Sequence, residues 1–265
     1  MMTSSLGIAT FVLSALFLGA ILGLLIGRRL PAHHLTSETR AVVSASMAVV
    51  GTMSALVIGL MISNGSTAFK ARNSDVSLLA SQIVQLDTLL RRYGPDSSEV
   101  RHALSRYATM TSEDLFPDRR GMTPNVDNSA TRKALDETQD LLLTLKSGDY
   151  RQQWLSTQAL QLTLAVGETR ARMSQENVGS IPLPFLGAVI LWLAVLFTSF
   201  GLFAPRNITA FVAIFLCALA ISAAIKLVLD MDTPFDGLIL LAKPPIHISS
   251  DPLRHAIEVL RIKGW

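Results

Sequence analysis

The chain has 265 residues, a mean hydropathy of +0.42, 50% hydrophobic residues and only 16% charged ones. Soluble domains carry about 25% charged residues, so a soluble enzyme domain, a disordered chain and a disulfide scaffold are excluded. The net charge of +3 comes without a basic tract, which removes nucleic acid as a partner. One cysteine, Cys217, lies in an apolar run and can form no internal bridge.

The first apolar run, Leu6 to Gly27, holds no charge and ends at Arg28-Arg29. It lacks a basic segment before it and is too long for a signal-peptide core, so it reads as a signal anchor. The second run is Ala41 to Ser63, the third Pro184 to Phe203, and the fourth Ile208 to Leu229 with the single charge Lys226. Each is about 20 to 23 residues, roughly 30 to 35 Å of helix, which matches a hydrocarbon core. Four transmembrane helices are expected. Arg28, Arg29 and Arg40 lie in the first loop and Arg206 in the tight turn Ala204–Asn207, whereas Met1–Ser5 has no basic side chain. This bias places both termini and the central block outside the cytoplasm.

Residues 64–180 form the sizeable polar block, with 14 basic and 14 acidic residues in balance. Val76, Leu79, Ile83, Leu86, Leu90 and Tyr93 follow 3-4-3-4-3 spacing, the seam of a packed helix that runs out of span two. Gly94-Pro95-Asp96 stops it. A second helix is expected over Ser97–Asp114, with Val100, Leu104, Tyr107 and Thr111 inward. A loop follows from Phe116 to Asn128, then helices over Thr131–Lys146 and Tyr150–Gln175. In the last of these, Leu155, Ala159, Leu162, Val166, Thr169 and Met173 form another seam. The tail from Asp251 to Trp265 is amphipathic, with Asp251 as N-cap, Pro252 at the first helical position and Leu253, Ile257 and Leu260 in one stripe. It suits a membrane interface or docking on the helical block. The expected architecture is therefore an all-α membrane protein. A first transmembrane hairpin covers 1–63, a helical domain 64–180, a second hairpin 181–229, and a turn with an amphipathic tail 230–265.

Gly19, Gly23 and Gly27 recur every four residues, as do Gly51, Ala55 and Gly59. Small residues let helix backbones approach closely in lipid, so spans one and two are expected to pack through these faces. The alternative is that the small, weakly polar side of span two lines a passage. Lys226 has Asp230 one turn later on the same face, which predicts either an ion pair or an anion-attracting pore mouth. Asp230, Asp232 and Asp236 crowd one boundary but lack EF-hand spacing, so no metal site is assigned. His33, His34, His102, His247 and His255 are scattered. No phosphate loop, zinc-protease motif, cysteine pair or serine-hydrolase elbow occurs, and no cofactor or enzymatic activity is expected.

Several stretches together resemble the bestrophin-like family of uncharacterised, mainly bacterial membrane proteins. These are His34-Leu35-Thr36-Ser37-Glu38-Thr39-Arg40, Ile58-Gly59-Leu60-Met61-Ile62, Leu86-Asp87, Arg91-Arg92-Tyr93-Gly94-Pro95 and Asp232-Thr233-Pro234-Phe235-Asp236-Gly237. The most specific is the Asp-x-Pro-Phe-x-Gly element of Asp232, Pro234, Phe235 and Gly237. The resemblance implies kinship with bestrophins, oligomeric anion channels whose constriction is lined by aromatic residues on span two; span two here has none. It also implies a bacterial inner membrane. Two functions follow as expectations. One is a homo-oligomeric channel in the bilayer with Met47, Val50, Gly51, Ser54, Val57 and Met61 lining the pore and an apolar constriction as gate. The other is a membrane-anchored sensor or interaction protein whose residues 64–180 bind a partner.

Overall fold

The computed structural model describes residues 5–31, 36–117, 124–146, 148–175, 183–205, 207–232 and 248–262. Among them the secondary structure is helical: α1 (Ser5–Arg29), α2 (Ser37–Tyr93), α3 (Ser98–Leu115), α4 (Ser129–Thr144), α5 (Tyr150–Gln175), α6 (Leu183–Phe203), α7 (Ile208–Asp232) and α8 (Asp251–Ile262). The chain divides into two compact units. Unit 1 is Met1–Ala68 with Ser180–Asp232, and unit 2 is Phe69–Gly179 with Thr233–Trp265.

Among the described residues, four helices are long and apolar enough to cross a membrane: α1, α2, α6 and α7. Unit 1 is built on the pairing of α1 with α6. Gly19 lies against Ala194 and Thr198, Gly23 against the Thr198 and Leu202 backbone, and Gly27 against Leu202. Gly201 on α6 answers by lying against Ala20. A Cβ added at Gly23 would stand 1.9 Å from the Thr198 carbonyl oxygen, and one added at Gly201 would stand 1.9 Å from that of Ala20. The glycine face of α1 therefore serves α6, where the sequence reading paired it with span two. The reason is a matching row on α6: Ala194, Thr198 and Gly201 are also small and recur at helical spacing, so both backbones can approach. Helix α7 joins α1 through the buried Ser222 hydroxyl, which donates to the Ala9 carbonyl at 2.6 Å. Phe17 also sits edge-on to Phe211 and Phe215, at 5.2 and 5.5 Å.

Unit 2 has its own core. Val76, Leu79, Ile83, Leu86 and Leu90 of α2 are buried with Val100, Leu104 and Tyr107 of α3 and Ala159, Val166 and Met173 of α5. Helix α2 stops at Gly94, whose φ of 118° lies in the left-handed region that side chains disfavour. Pro95 then opens a 3₁₀ turn, Pro95–Ser97, and the buried Ser97 hydroxyl donates to the Leu90 carbonyl at 2.6 Å. The same carbonyl accepts from the Gly94 N–H at 3.4 Å, so Ser97 adds a second, shorter bond at the end of the helix. The Asn128 side chain caps α4 by accepting from the Ala130 N–H at 3.0 Å. In the tail, α8 buries Leu253, Ala256 and Leu260 in the unit 2 core and packs on α3. Its cap falls one residue earlier than expected. The Arg254 N–H donates to the Ser250 carbonyl, so Asp251 stands in the first turn, where its charge favours the helix dipole.

Two polar networks cross this interior. Fully buried Asp87 accepts from Arg91 of its own helix and from Arg101 Nε of α3 at 2.9 Å. Asp114 of α3 accepts from Asn128 Nδ2 at 2.6 Å, Thr131 Oγ1 at 2.5 Å and Arg170 Nη2 at 3.3 Å. Arg170 Nη1 also donates to Thr111 at 3.2 Å. The network thus ties α3, α4 and α5 together. The Arg170 guanidinium stands 6.0 Å from the centre of the Tyr107 ring. Burial pushes the Tyr107 phenol above its ordinary pKa, with Arg170 opposing that rise. Its hydroxyl stands beside Thr111 and Arg170 but, like that of Tyr93, makes no hydrogen bond of ordinary geometry among the described residues.

Candidate functional site

The helices of unit 1 differ in how much of themselves they bury. About a third of the most apolar stretch of α1 and of α6 is buried, against 11% for α2. The part of α2 that is buried is the face the sequence reading assigned to a pore. Ser54 is 1% exposed and Met61 is buried, while Met47, Val50, Gly51 and Val57 are half-buried. Gly51 approaches Leu196 of α6. Ile58 and Met61 look across a narrow, wholly apolar crevice at Leu186 and Val189 of α6 and Ile225 and Val228 of α7. The Ser54 hydroxyl is satisfied within its own helix, donating to the Val50 carbonyl at 2.8 Å. This is the inner face of α2.

The opposite face is open. Val49, Met53, Leu56 and Leu60 are 60, 56, 68 and 61% exposed. With Val42, Ser46 and Ser63 they keep strict 4-3-4-3-4-3 spacing, and all seven are exposed and uncharged. Next to this row lie the exposed small residues Ala41, Ala45, Ala48, Thr52, Ala55 and Gly59. Nothing comes within 4 Å of a Cβ added at Gly59. Of the two small-residue faces, the one on α1 is occupied within the chain, and the Ala55–Gly59 end of the one on α2 is left free.

Lys226 and Asp230 are brought together on α7, with Nζ 2.5 Å from Oδ2. The carboxylate is largely buried and the ammonium partly exposed, so the lysine's charge is already matched by its own helix. Asp232 is the last residue of α7. Pro234, Phe235 and Gly237 lie outside the described residues, as do His33, His34 and Arg206. Among the described residues no three His, Cys, Asp or Glu side chains gather in a way that could hold a metal ion.

A family model for the Bestrophin-like domain matches residues 14–244. The chain belongs to the bestrophin-like family. No curated protein matches this bestrophin-like chain. Among solved structures it is similar to a bacterial bestrophin homologue from Klebsiella pneumoniae, seen in two single-substitution variants. The first has a TM-score of 0.68 at 16% identity and covers 98% of each chain. The second has a TM-score of 0.65 at 14% identity and covers 95% of this chain and 97% of that one. The two proteins share a fold over nearly their whole lengths.

Proposed function

We propose that this bestrophin-like chain is a homo-oligomeric anion channel of a lipid membrane, with α2 lining the pore. The observation that carries the reading is the open, charge-free row Val49, Met53, Leu56 and Leu60 on a helix long and apolar enough to cross a bilayer. From the sequence alone, the Met47-to-Met61 face is the expected pore lining. A pore between copies is lined by what one copy leaves open, so the pore face moves to the opposite side of the helix. A ring of leucine and methionine side chains gates by dewetting when its radius is small. The neighbouring row of small residues gives each copy of α2 a surface on which the next can pack closely. The family relation supports the channel, and the charge bias of the loops supports both termini and the helical unit lying outside the cytoplasm.

Chloride flux from liposomes carrying the purified protein tests this. Leu56→Ala removes the apolar constriction and is expected to raise flux severalfold. Leu56→Glu places a ring of like charge in the anion path and is expected to lower flux about tenfold or more. Ser54→Ala, on the inner face, leaves flux unchanged. Flux that ignores both Leu56 substitutions, or is absent from the wild-type protein, overturns the assignment.

A further inference from the structure

Helix α2 is 57 residues long and treats its charges unequally. Between residues 41 and 90 the charged side chains are Lys70, Arg72, Asp75 and Asp87. Three of them are withdrawn from solvent: Arg72, Asp75 and Asp87 are 4, 6 and 0% exposed. Asp87 answers Arg91 and Arg101, and Asp75 Oδ1 lies 3.8 Å from Arg172 Nη1 of α5. Lys70 is exposed, and among the described residues it forms no ion pair. It is the one open, unmatched charge on that length of helix.

Its register is as particular as its exposure. The open row Val42, Ser46, Val49, Met53, Leu56, Leu60 and Ser63 continues without a break in spacing through Thr67 to Lys70, both exposed. Lys70 stands about 10 Å beyond Ser63 along the helix and is the first charge the row meets in that direction. Where the row begins, Glu38 and Arg40 are both exposed and opposite in sign. The row is therefore electrically one-sided, and its positive end is Lys70.

On a surface dense with charge, an exposed lysine is one among many and screened by its neighbours. On a charge-free row that lines a pore, the same ammonium recurs once per copy with no acid to offset it. Rings of lysine or arginine favour anions in just this way. A potential of one kT raises the local anion concentration about threefold, and focused fields reach several kT. The reach is about 10 Å at 0.1 M salt, which covers the end of the row at Ser63. Leu56 is about 21 Å away and lies outside it. Lys70 can thus load the passage with anions without acting on the constriction.

We infer that Lys70 is the charge-selecting residue of this chain and concentrates small anions such as chloride at the mouth of the α2 row. The inference rests on the channel reading and adds to it the side chain that sets ion preference. Planar bilayers carrying the purified full-length protein test it through reversal potentials in a potassium chloride gradient. Lys70→Arg is expected to keep the wild-type chloride preference. Lys70→Gln is expected to lower the chloride-to-potassium permeability ratio by at least about threefold, and Lys70→Glu to favour potassium. In about 0.1 M salt the chloride conductance of Lys70→Gln is expected to fall about threefold. In about 1 M salt, where the reach shrinks to about 3 Å, that loss is expected to vanish.

Lys133→Gln makes the same charge change at an exposed position of α4 and leaves both readouts unchanged. An anion-selective wild type whose readouts ignore Lys70→Gln and Lys70→Glu overturns the inference and leaves the channel standing. So does a loss that is equally large in 1 M salt, or one that Lys133→Gln reproduces. A wild type that conducts but prefers potassium overturns the inference and the anion part of the channel reading. A wild type that does not conduct overturns both.

Discussion

Helices α1 and α2 carry the same ingredient, small residues every fourth position, and use it differently. On α1, Gly23 touches the backbone of α6. On α2, Gly59 meets nothing within 4 Å. The contrast teaches that a small-residue row records a capacity for close approach and not the identity of the partner. For α1 the partner is within the chain. For α2 the Ala55–Gly59 end of the row is still open when the chain's own contacts have been made. Identical substitutions should therefore have opposite consequences. Gly23→Ala forces a methyl to within 1.9 Å of a backbone oxygen, which must cost about 3 kcal/mol, the upper part of the overpacking range. Gly59→Ala is expected to stabilise the isolated chain by up to about 1 kcal/mol through helix propensity alone. Thermal unfolding of both variants in detergent checks this, and equal shifts would break the comparison.

The inner face of α2 in unit 2 is as closed as α1, but its closure includes charge. Asp87 is fully buried, while Arg91 and Arg101 keep 21% and 15% of their side chains exposed. Asp87→Ala removes the carboxylate that both guanidiniums share. Breaking a buried pair from one side costs about 3–5 kcal/mol; the partial exposure of the arginines points to the lower end. Thr88→Ala, one residue away on the open face, is expected to change stability by less than about 0.5 kcal/mol. Urea unfolding followed by helical circular dichroism separates the two. A large loss for Thr88→Ala would show that the outer face is already covered within one chain.

Much of this fold was legible in the sequence because its elements are bounded by strong signals. Apolar lengths with at most one charge marked α1, α6 and α7, and the seam from Val76 to Tyr93 lies in the core residue for residue. Gly94 and Pro95 end α2 where local chemistry requires it. Partnership was less legible. Gly23 meets Thr198, far along the chain, and periodicity within one helix holds no information about which distant helix carries the answering row. The two faces of α2 in unit 1 were also hard to tell apart, since both are apolar and hydropathy offers no contrast between chain and lipid. Only geometry showed that Ser54 and Met61 look inward and Leu56 outward. The network of Asp114 with Arg170 was missed for the first reason, as its members lie on different helices.

The smallest expected effect probes whether the closed interior of unit 2 is also fully satisfied. The Tyr107 hydroxyl is buried beside Thr111 and Arg170 without a hydrogen bond of ordinary geometry among the described residues, so the seam on α3 closes sterically while leaving one donor poorly answered. An unpaired buried hydroxyl is unfavourable, and Tyr107→Phe is expected to raise stability by about 1 kcal/mol or less near neutral pH. The alkaline limb gives a sharper readout. The phenol's pKa in the folded protein lies above its ordinary value of 10.0, chiefly because burial disfavours the phenolate. Its contribution to stability is therefore complete below pH 10 and is lost as pH rises through the folded value, since the unfolded chain releases the proton first. Each pH unit in that window removes at most about 1.4 kcal/mol for one proton. Phenylalanine has no proton to release, so urea midpoints of wild type and Tyr107→Phe should diverge between pH 9 and pH 11 in favour of the variant. Parallel curves would mean that the Tyr107 hydroxyl reaches solvent, and that unit 2 is open at its centre as well as along the outer face of α2.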